Sequence, residues 1–92
     1  MLPSELLDIP EKWTQQATSR DSMQRVVHPN DPDACCWCIV GAISRCTPIE
    51  REHNELIKRV SLSVGCLSAT AWNDDAVRTF DEVRAALIAV GL

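Results

Sequence analysis

The stretch Asp33 to Cys46, DACCWCIVGAISRC, constrains the fold more than any other part of the chain. From Ala34 to Ile43 no charged or hydrophilic side chain interrupts it, and four of the five cysteines fall within it. A helix that is apolar all round is normally enclosed by other elements. The run therefore reads as a buried central helix over about 34–45, with Asp33 as N-cap. A short apolar run is also compatible with a buried strand, but this one has no β-branched residue before Ile39. Gly41 costs about 1 kcal/mol relative to alanine inside a helix, and a close helix–helix contact is the usual reason to keep one.

Two capping signatures place the other main helices. Thr47-Pro48-Ile49-Glu50 offers threonine as N-cap, proline at the first helical position and glutamate at the third. It predicts a helix over about 48–64 with Ile49, His53, Leu56, Ile57, Val60 and Val64 inward, a Glu55–Arg59 i,i+4 pair outward, and Gly65 as its stop. Thr79-Phe80-Asp81-Glu82 predicts a last helix over about 79–90 with Phe80, Val83, Leu87 and Val90 inward and Gly91 beyond its end. Residues 3–8 form a short helix with Leu6, Leu7 and Ile9 inward, and Pro10 opens a new turn carrying Trp13. Val26 and Val27 read as a brief extended segment. HPNDPD (28–33) is a loop, because each proline pushes its predecessor out of the helical region. Cys66–Trp72 is a short connector, itself compatible with a helix, broken at Asn73-Asp74-Asp75. The fold class is mainly α: a small compact domain of three main helices with one or two short N-terminal ones, and residues 1–92 form one domain.

A 92-residue chain buries only roughly 60–65% of its unfolded surface, which leaves little for an internal cleft. Net charge is −4 with no basic cluster, which disfavours direct nucleic-acid binding by phosphate neutralisation and suits solubility or a basic protein partner. The N-terminus lacks a cationic segment followed by a long apolar one, so no signal peptide is expected. No run reaches the roughly 20 apolar residues of a membrane span. An odd cysteine count with Cys35, Cys36 and Cys38 crowded together fits reduced thiols and a cytoplasmic location.

Three groupings could carry chemistry. Cys35, Cys38, Cys46 and His28 are the only candidate metal set, but tetrahedral zinc wants two converging pairs, and a second pair is lacking; the plainer reading is cysteine packed as a small hydrophobe. Cys35 and Cys36, placed in a first helical turn, could be activated by the helix dipole, with His28 or His53 as the only base partners. The adjacent carboxylates Asp74-Asp75 and Asp81-Glu82 do not face each other on a helix. The best functional candidate is Trp72-Asn73-Asp74 with Arg78, since tryptophan and arginine are enriched at interface hot spots. Trp13 with Gln15, Gln16, Arg20 and Asp21 invites the same reading. For both, the structural alternative is core filling, capping and ion pairing. If the two patches meet, they form a polar groove with aromatic walls.

The order Trp13-x-Gln15-x-Ala17, Arg20-Asp21, Asp33-x-x-x-Trp37-Cys38-x-x-Gly41-Ala42-Ile43, Trp72-Asn73-Asp74 and Arg78-Thr79-x-x-x-Val83 resembles a small domain-of-unknown-function family of bacteria and bacteriophages. The likeness runs from Trp13 to about Leu87. It implies a cytosolic, mainly helical protein of phage or mobile-element origin and brings no activity with it. The family pattern begins with a longer amphipathic helix, whereas Pro3 and Pro10 bracket a short one here, and Cys35 and Cys36 are additions to it. The expectation is a small non-enzymatic protein-binding module without cofactor, acting on a host or phage protein as an inhibitor of a bacterial defence complex in the manner of anti-CRISPR proteins. Its expected contact residues are Trp13, Gln15, Arg20, Asp21, Asn73, Asp74 and Arg78. The alternatives are a zinc- or thiol-dependent protein built on Cys35, Cys36 and Cys38, and a self-assembling structural protein.

Overall fold

A computed structural model describes all 92 residues. The chain runs α1 (Pro3–Leu6), a 3-10 turn (Pro10–Lys12), β1 (Ser19–Arg20), β2 (Cys36–Trp37), α2 (Ile39–Cys46), α3 (Glu50–Val64), α4 (Ala69–Asn73) and α5 (Phe80–Ala89). Helix α2 is central, as its all-round apolarity predicts, and touches α1, α3 and α4. Its Ile39, Ala42 and Ile43 meet Leu7, Val60, Val83 and Leu87 in one core, with Leu92 and Trp37 at its margins. No helix is long and apolar enough to cross a membrane.

The apolar run does not form one helix from residue 34. Its first part is the strand β2, antiparallel to β1 with Ser19 opposite Trp37 and Arg20 opposite Cys36. The helix starts five residues later than the composition suggests. Cys38, not Asp33, is its N-cap, with Sγ accepting from the Gly41 N–H at 3.3 Å. The physical reason is non-local. The Thr18 and Arg20 carbonyls accept from the Cys38 and Cys35 N–H groups at 3.0 and 2.9 Å, so extended backbone here has partners that local propensity cannot reveal. The Asp31 carboxylate takes the Asp33 N–H at 2.8 Å, closing a turn within the 28–33 loop. That loop roofs Trp37: the Pro29 carbonyl accepts from both Trp37 Nε1 and Arg45 Nη1 at 3.0 Å.

Gly41 is needed for a close approach, but to a loop rather than a helix. A Cβ there would lie 1.9 Å from the Thr18 carbonyl oxygen. The segment 14–18 therefore lies directly on the first turn of α2.

The two capping signatures behave differently. At α5 the box forms as predicted: Thr79 Oγ1 accepts from the Glu82 N–H at 3.2 Å, and Glu82 Oε1 accepts from the Thr79 N–H at 2.9 Å. At α3 it does not. Thr47 is the C-cap of α2, donating its N–H to the Ile43 carbonyl at 2.8 Å. It cannot also take the N-cap conformation of the next helix, so α3 begins two residues later behind Ile49, which gives no side-chain cap. Thr79→Ala is accordingly expected to cost about 1 kcal/mol in denaturant titrations, and Thr47→Ala less than about 0.5 kcal/mol. Equal losses would contradict these assignments.

Gly65 and Gly91 close α3 and α5 in left-handed conformation, at φ 69° and 80°. Each follows the Schellman pattern: Cys66 N–H to Ser61 O at 3.1 Å and Leu92 N–H to Leu87 O at 2.9 Å. The Leu92 carbonyl then accepts from the Ser4 N–H at 2.9 Å, and Arg84 Nε donates to the Ser4 carbonyl at 3.3 Å, so the two ends of the chain meet. Leu7 is buried as expected, whereas Ile9 is exposed. Phe80 and Val90 pack at the core's edge. The expected Glu55–Arg59 pair is not among the four ion pairs of the molecule.

Candidate functional site

The fold brings the two tryptophan-bearing segments together. Asn73, at the last turn of α4, is fully buried and uses its whole amide. Its Oδ1 accepts from Trp13 Nε1 at 2.8 Å and from the Ile39 N–H at 3.0 Å. Its Nδ2 donates to the Thr14 carbonyl at 3.2 Å and to Asp74 Oδ1 at 3.0 Å. The Ile39 N–H belongs to the first turn of α2, where a helix has no internal partner to offer. Asn73 therefore caps α2 from another helix.

The neighbouring residues extend this clasp. Gln15 Nε2 donates to the Asn73 and Asp75 carbonyls, both at 2.9 Å. The Gln16 N–H donates to Asp74 Oδ1 at 3.0 Å, with Gln16 in left-handed conformation at φ 65°. Arg20 donates through Nε to Thr14 Oγ1 at 3.2 Å and through Nη1 to the Gln24 carbonyl at 3.1 Å. Asp21 Oδ1 accepts from the Met23 and Arg25 N–H groups at 2.9 Å, and Oδ2 from Arg25 Nε at 2.8 Å. These bonds, led by the Arg25 N–H, hold the Asp21 carboxyl below the usual range. Arg78 lies over the Trp72 ring with its guanidinium carbon 4.1 Å from the centroid. It donates through Nε to the Trp72 carbonyl at 2.9 Å and through Nη1 to Glu82 Oε2 at 3.0 Å.

All seven expected contact residues thus make hydrogen bonds within the molecule. Trp13, Gln15, Asn73 and Asp74 form one network, with Arg20 joined to it through Thr14, while Asp21 organises the adjoining turn and Arg78 the start of α5. No buried side-chain nitrogen or oxygen is left without a partner. The arrangement locks the segment 13–16 onto α4 and α2, and its chemistry is that of a fastener: donors and acceptors already spent on each other.

The cysteines scatter. Cys35 is exposed, Cys36 and Cys38 are buried, and Cys46 and Cys66 are half-buried. No grouping of three or more His, Cys, Asp or Glu residues is arranged to hold a metal ion, so Cys35, Cys38, Cys46 and His28 do not converge. Neither Cys35 nor Cys36 occupies a first helical turn, because α2 begins at Ile39. Burial pushes the thiols of Cys36, Cys38 and Cys46 up from their ordinary value, the opposite of activation. His28 Nδ1 pairs with the Asn30 N–H at 3.1 Å, and His53 Nδ1 lies 3.1 Å from the Thr47 carbonyl.

One surface feature escaped the motif reading. An open groove of about 400 Å³ runs beside the C-terminal half of α3, lined by Asn54, Ile57, Lys58, Ser61, Leu62, Cys66 and Leu67. Leu67 is fully exposed and Leu62 is 74% exposed. The signal available in the sequence was Leu62, an apolar residue lying off the inward stripe of α3.

The family model described as "Family of unknown function (DUF6197)" matches residues 4–90, a span containing every residue of the clasp and the groove. No curated protein and no solved structure matches the chain.

Proposed function

The chain belongs to the DUF6197 family of unknown function, and we propose that it is a small protein-binding module whose contact face is the α3 groove. The observation that carries this reading is the pair Leu62 and Leu67, two large apolar side chains left in water at the lip of a groove. Exposed apolar surface of this kind, rimmed by polar residues, marks interaction sites. Charge narrows the occupant. Lys58 is the only charged residue lining the groove, and Arg51 lies two helical turns before it on the same stripe. Neither takes part in an ion pair. The occupant that fits is an amphipathic segment of another protein, apolar on one side, with carboxylates spaced to meet Arg51 and Lys58. Small size and a net charge of −4 suit the narrower role of an inhibitor of a bacterial defence complex. A subunit of such a complex recovered in stoichiometric amount would establish that role.

The test is affinity capture from host lysate with wild type, Leu67→Glu and Lys58→Glu. The same partner should be recovered with wild type and lost with Leu67→Glu, a weakening of about 30-fold or more for an apolar anchor replaced by a charge. Undiminished capture by Leu67→Glu, with loss in a folded Arg78→Ala protein, would move the contact face to the clasp and overturn this reading.

A further inference from the structure

The exposed side of α3 carries a register that defines the form of what can lie along it. Arg51, Glu55, Lys58 and Leu62 are all exposed and follow one another at steps of four, three and four residues. They fall within about 60° of one another around the helix, on a single stripe. None of the three charged members takes part in an ion pair within the molecule. Lys58 and Leu62 line the groove, and Leu67 continues its apolar lip beyond Gly65, where α3 ends. Along the axis the three steps measure about 6, 4.5 and 6 Å. A β-strand presents one face at even steps of about 6.7 Å, so a strand level with Arg51 is about 3 Å out of step at Lys58. A polyproline segment repeats its face every 9 Å or so and has nothing level with Glu55. A second α-helix reproduces steps of four, three and four, the spacing of seam residues in paired helices.

Given the α3 groove as the contact face, we propose that its partner segment is an α-helix with acidic, basic, acidic and apolar side chains at i, i+4, i+7 and i+11, set against Arg51, Glu55, Lys58 and Leu62. The order of steps reads the same in both directions, so an antiparallel helix carries the same four side chains in reverse. Leu62 and Leu67 are the apolar anchors of this contact. The charged trio fixes register, because a slip of one turn sets like charges opposite each other. A second copy of this chain is the poorer occupant. Two antiparallel α3 helices centred between Glu55 and Lys58 would pair those residues twice, but each Leu62 would face Arg51 and find no apolar partner. Parallel copies would set each charge against its like.

The experiment selects binders to the full-length protein from two displayed peptide libraries, one of 18-residue helices and one of extended strands, each randomised on the face turned to the target. Helical binders are expected, with acidic, basic, acidic and apolar residues at the stated steps in one direction or the other. Their binding should fall about 30-fold or more with Leu67→Glu. It should fall about 10-fold or more with the double variant Arg51→Glu, Lys58→Glu, and recover when the two peptide acids are changed to lysine. Strand binders, or helical binders without this charge order, that are still lost with Leu67→Glu would overturn the helical register while leaving the groove as the contact face. Binders indifferent to Leu67→Glu would overturn the register and count against the groove as well. Failure to enrich any binder would overturn the register, with lysate capture still deciding the groove. A doubling of mass with concentration that Leu62→Glu abolishes would overturn it in favour of a second copy.

Discussion

Gly41→Ala is expected to cost about 3–5 kcal/mol, enough to leave a domain of this size largely unfolded at 37 °C. The added methyl carbon would sit 1.9 Å from the Thr18 oxygen and 2.8 Å from its carbonyl carbon. Both are backbone atoms, so no rotamer change relieves the overlap. Either α2 or the segment 14–18 must move. Moving that segment breaks Cys38 N–H to Thr18 O at 3.0 Å and Thr14 N–H to Trp37 O at 3.0 Å. It also pulls on the Asn73 network through Thr14. Ordinary overpacking costs 1–3 kcal/mol because neighbouring side chains give way; here nothing flexible is in contact. Gly65→Ala is the informative comparison. Gly65 has open space around it, so only its left-handed backbone is penalised, by about 1–2 kcal/mol. Urea titration of both variants checks the claim. A Gly41→Ala protein as stable as Gly65→Ala would mean that the segment does not rest on α2.

Asn73→Ala is expected to cost about 3–4 kcal/mol and to lower the melting temperature by about 15–25 °C. The substitution removes four hydrogen bonds at a fully buried position. It strands Trp13 Nε1–H and the Ile39 N–H without an acceptor and the Thr14 carbonyl without this donor. Stranded buried donors and acceptors cost about 1–3 kcal/mol each. The total stays below their sum because water can reach the half-buried Trp13 side once the amide is gone. Asn73→Asp is the sharper probe of the amide itself. It preserves an acceptor for Trp13 and Ile39 but loses both donations and places a second carboxylate against Asp74. It should therefore be destabilised at neutral pH and recover part of the loss in acid, as protonation removes the repulsion. A melting temperature within a few degrees of wild type for Asn73→Ala would show that the clasp is not a structural element.

These two residues also show how far the amino-acid sequence reveals this molecule. Local signals were reliable wherever one helix end competed with nothing else: the Thr79–Glu82 box and the glycine stops at Gly65 and Gly91 need only neighbours a few residues away. Thr47 carries the same signature as Thr79 and fails, because the preceding helix takes it first. The strand at Cys36–Trp37 was hidden because the acceptors that hold its flanks, the Arg20 and Thr18 carbonyls, lie far upstream in the chain. The clasp was legible as a set of residue types but not as a circuit. Trp13 and Asn73 are 60 residues apart, and nothing local distinguishes an asparagine facing solvent from one saturated by four partners. The groove was the least visible feature, because exposed leucines are recognised only once the inward face of α3 is known from its packing.

The most direct test of the account is hydrogen exchange at the two protons that share Asn73 Oδ1, the Trp13 indole N–H and the Ile39 amide. If the clasp is a closed structural fastener, both protons exchange only through global unfolding, at matching rates, and both lose protection in Asn73→Ala at denaturant concentrations where the protein remains folded. A Trp13 indole proton that exchanges freely in a stable wild-type protein would contradict the account. It would mean that the 13–16 segment opens in the native state and offers its polar groups to a partner.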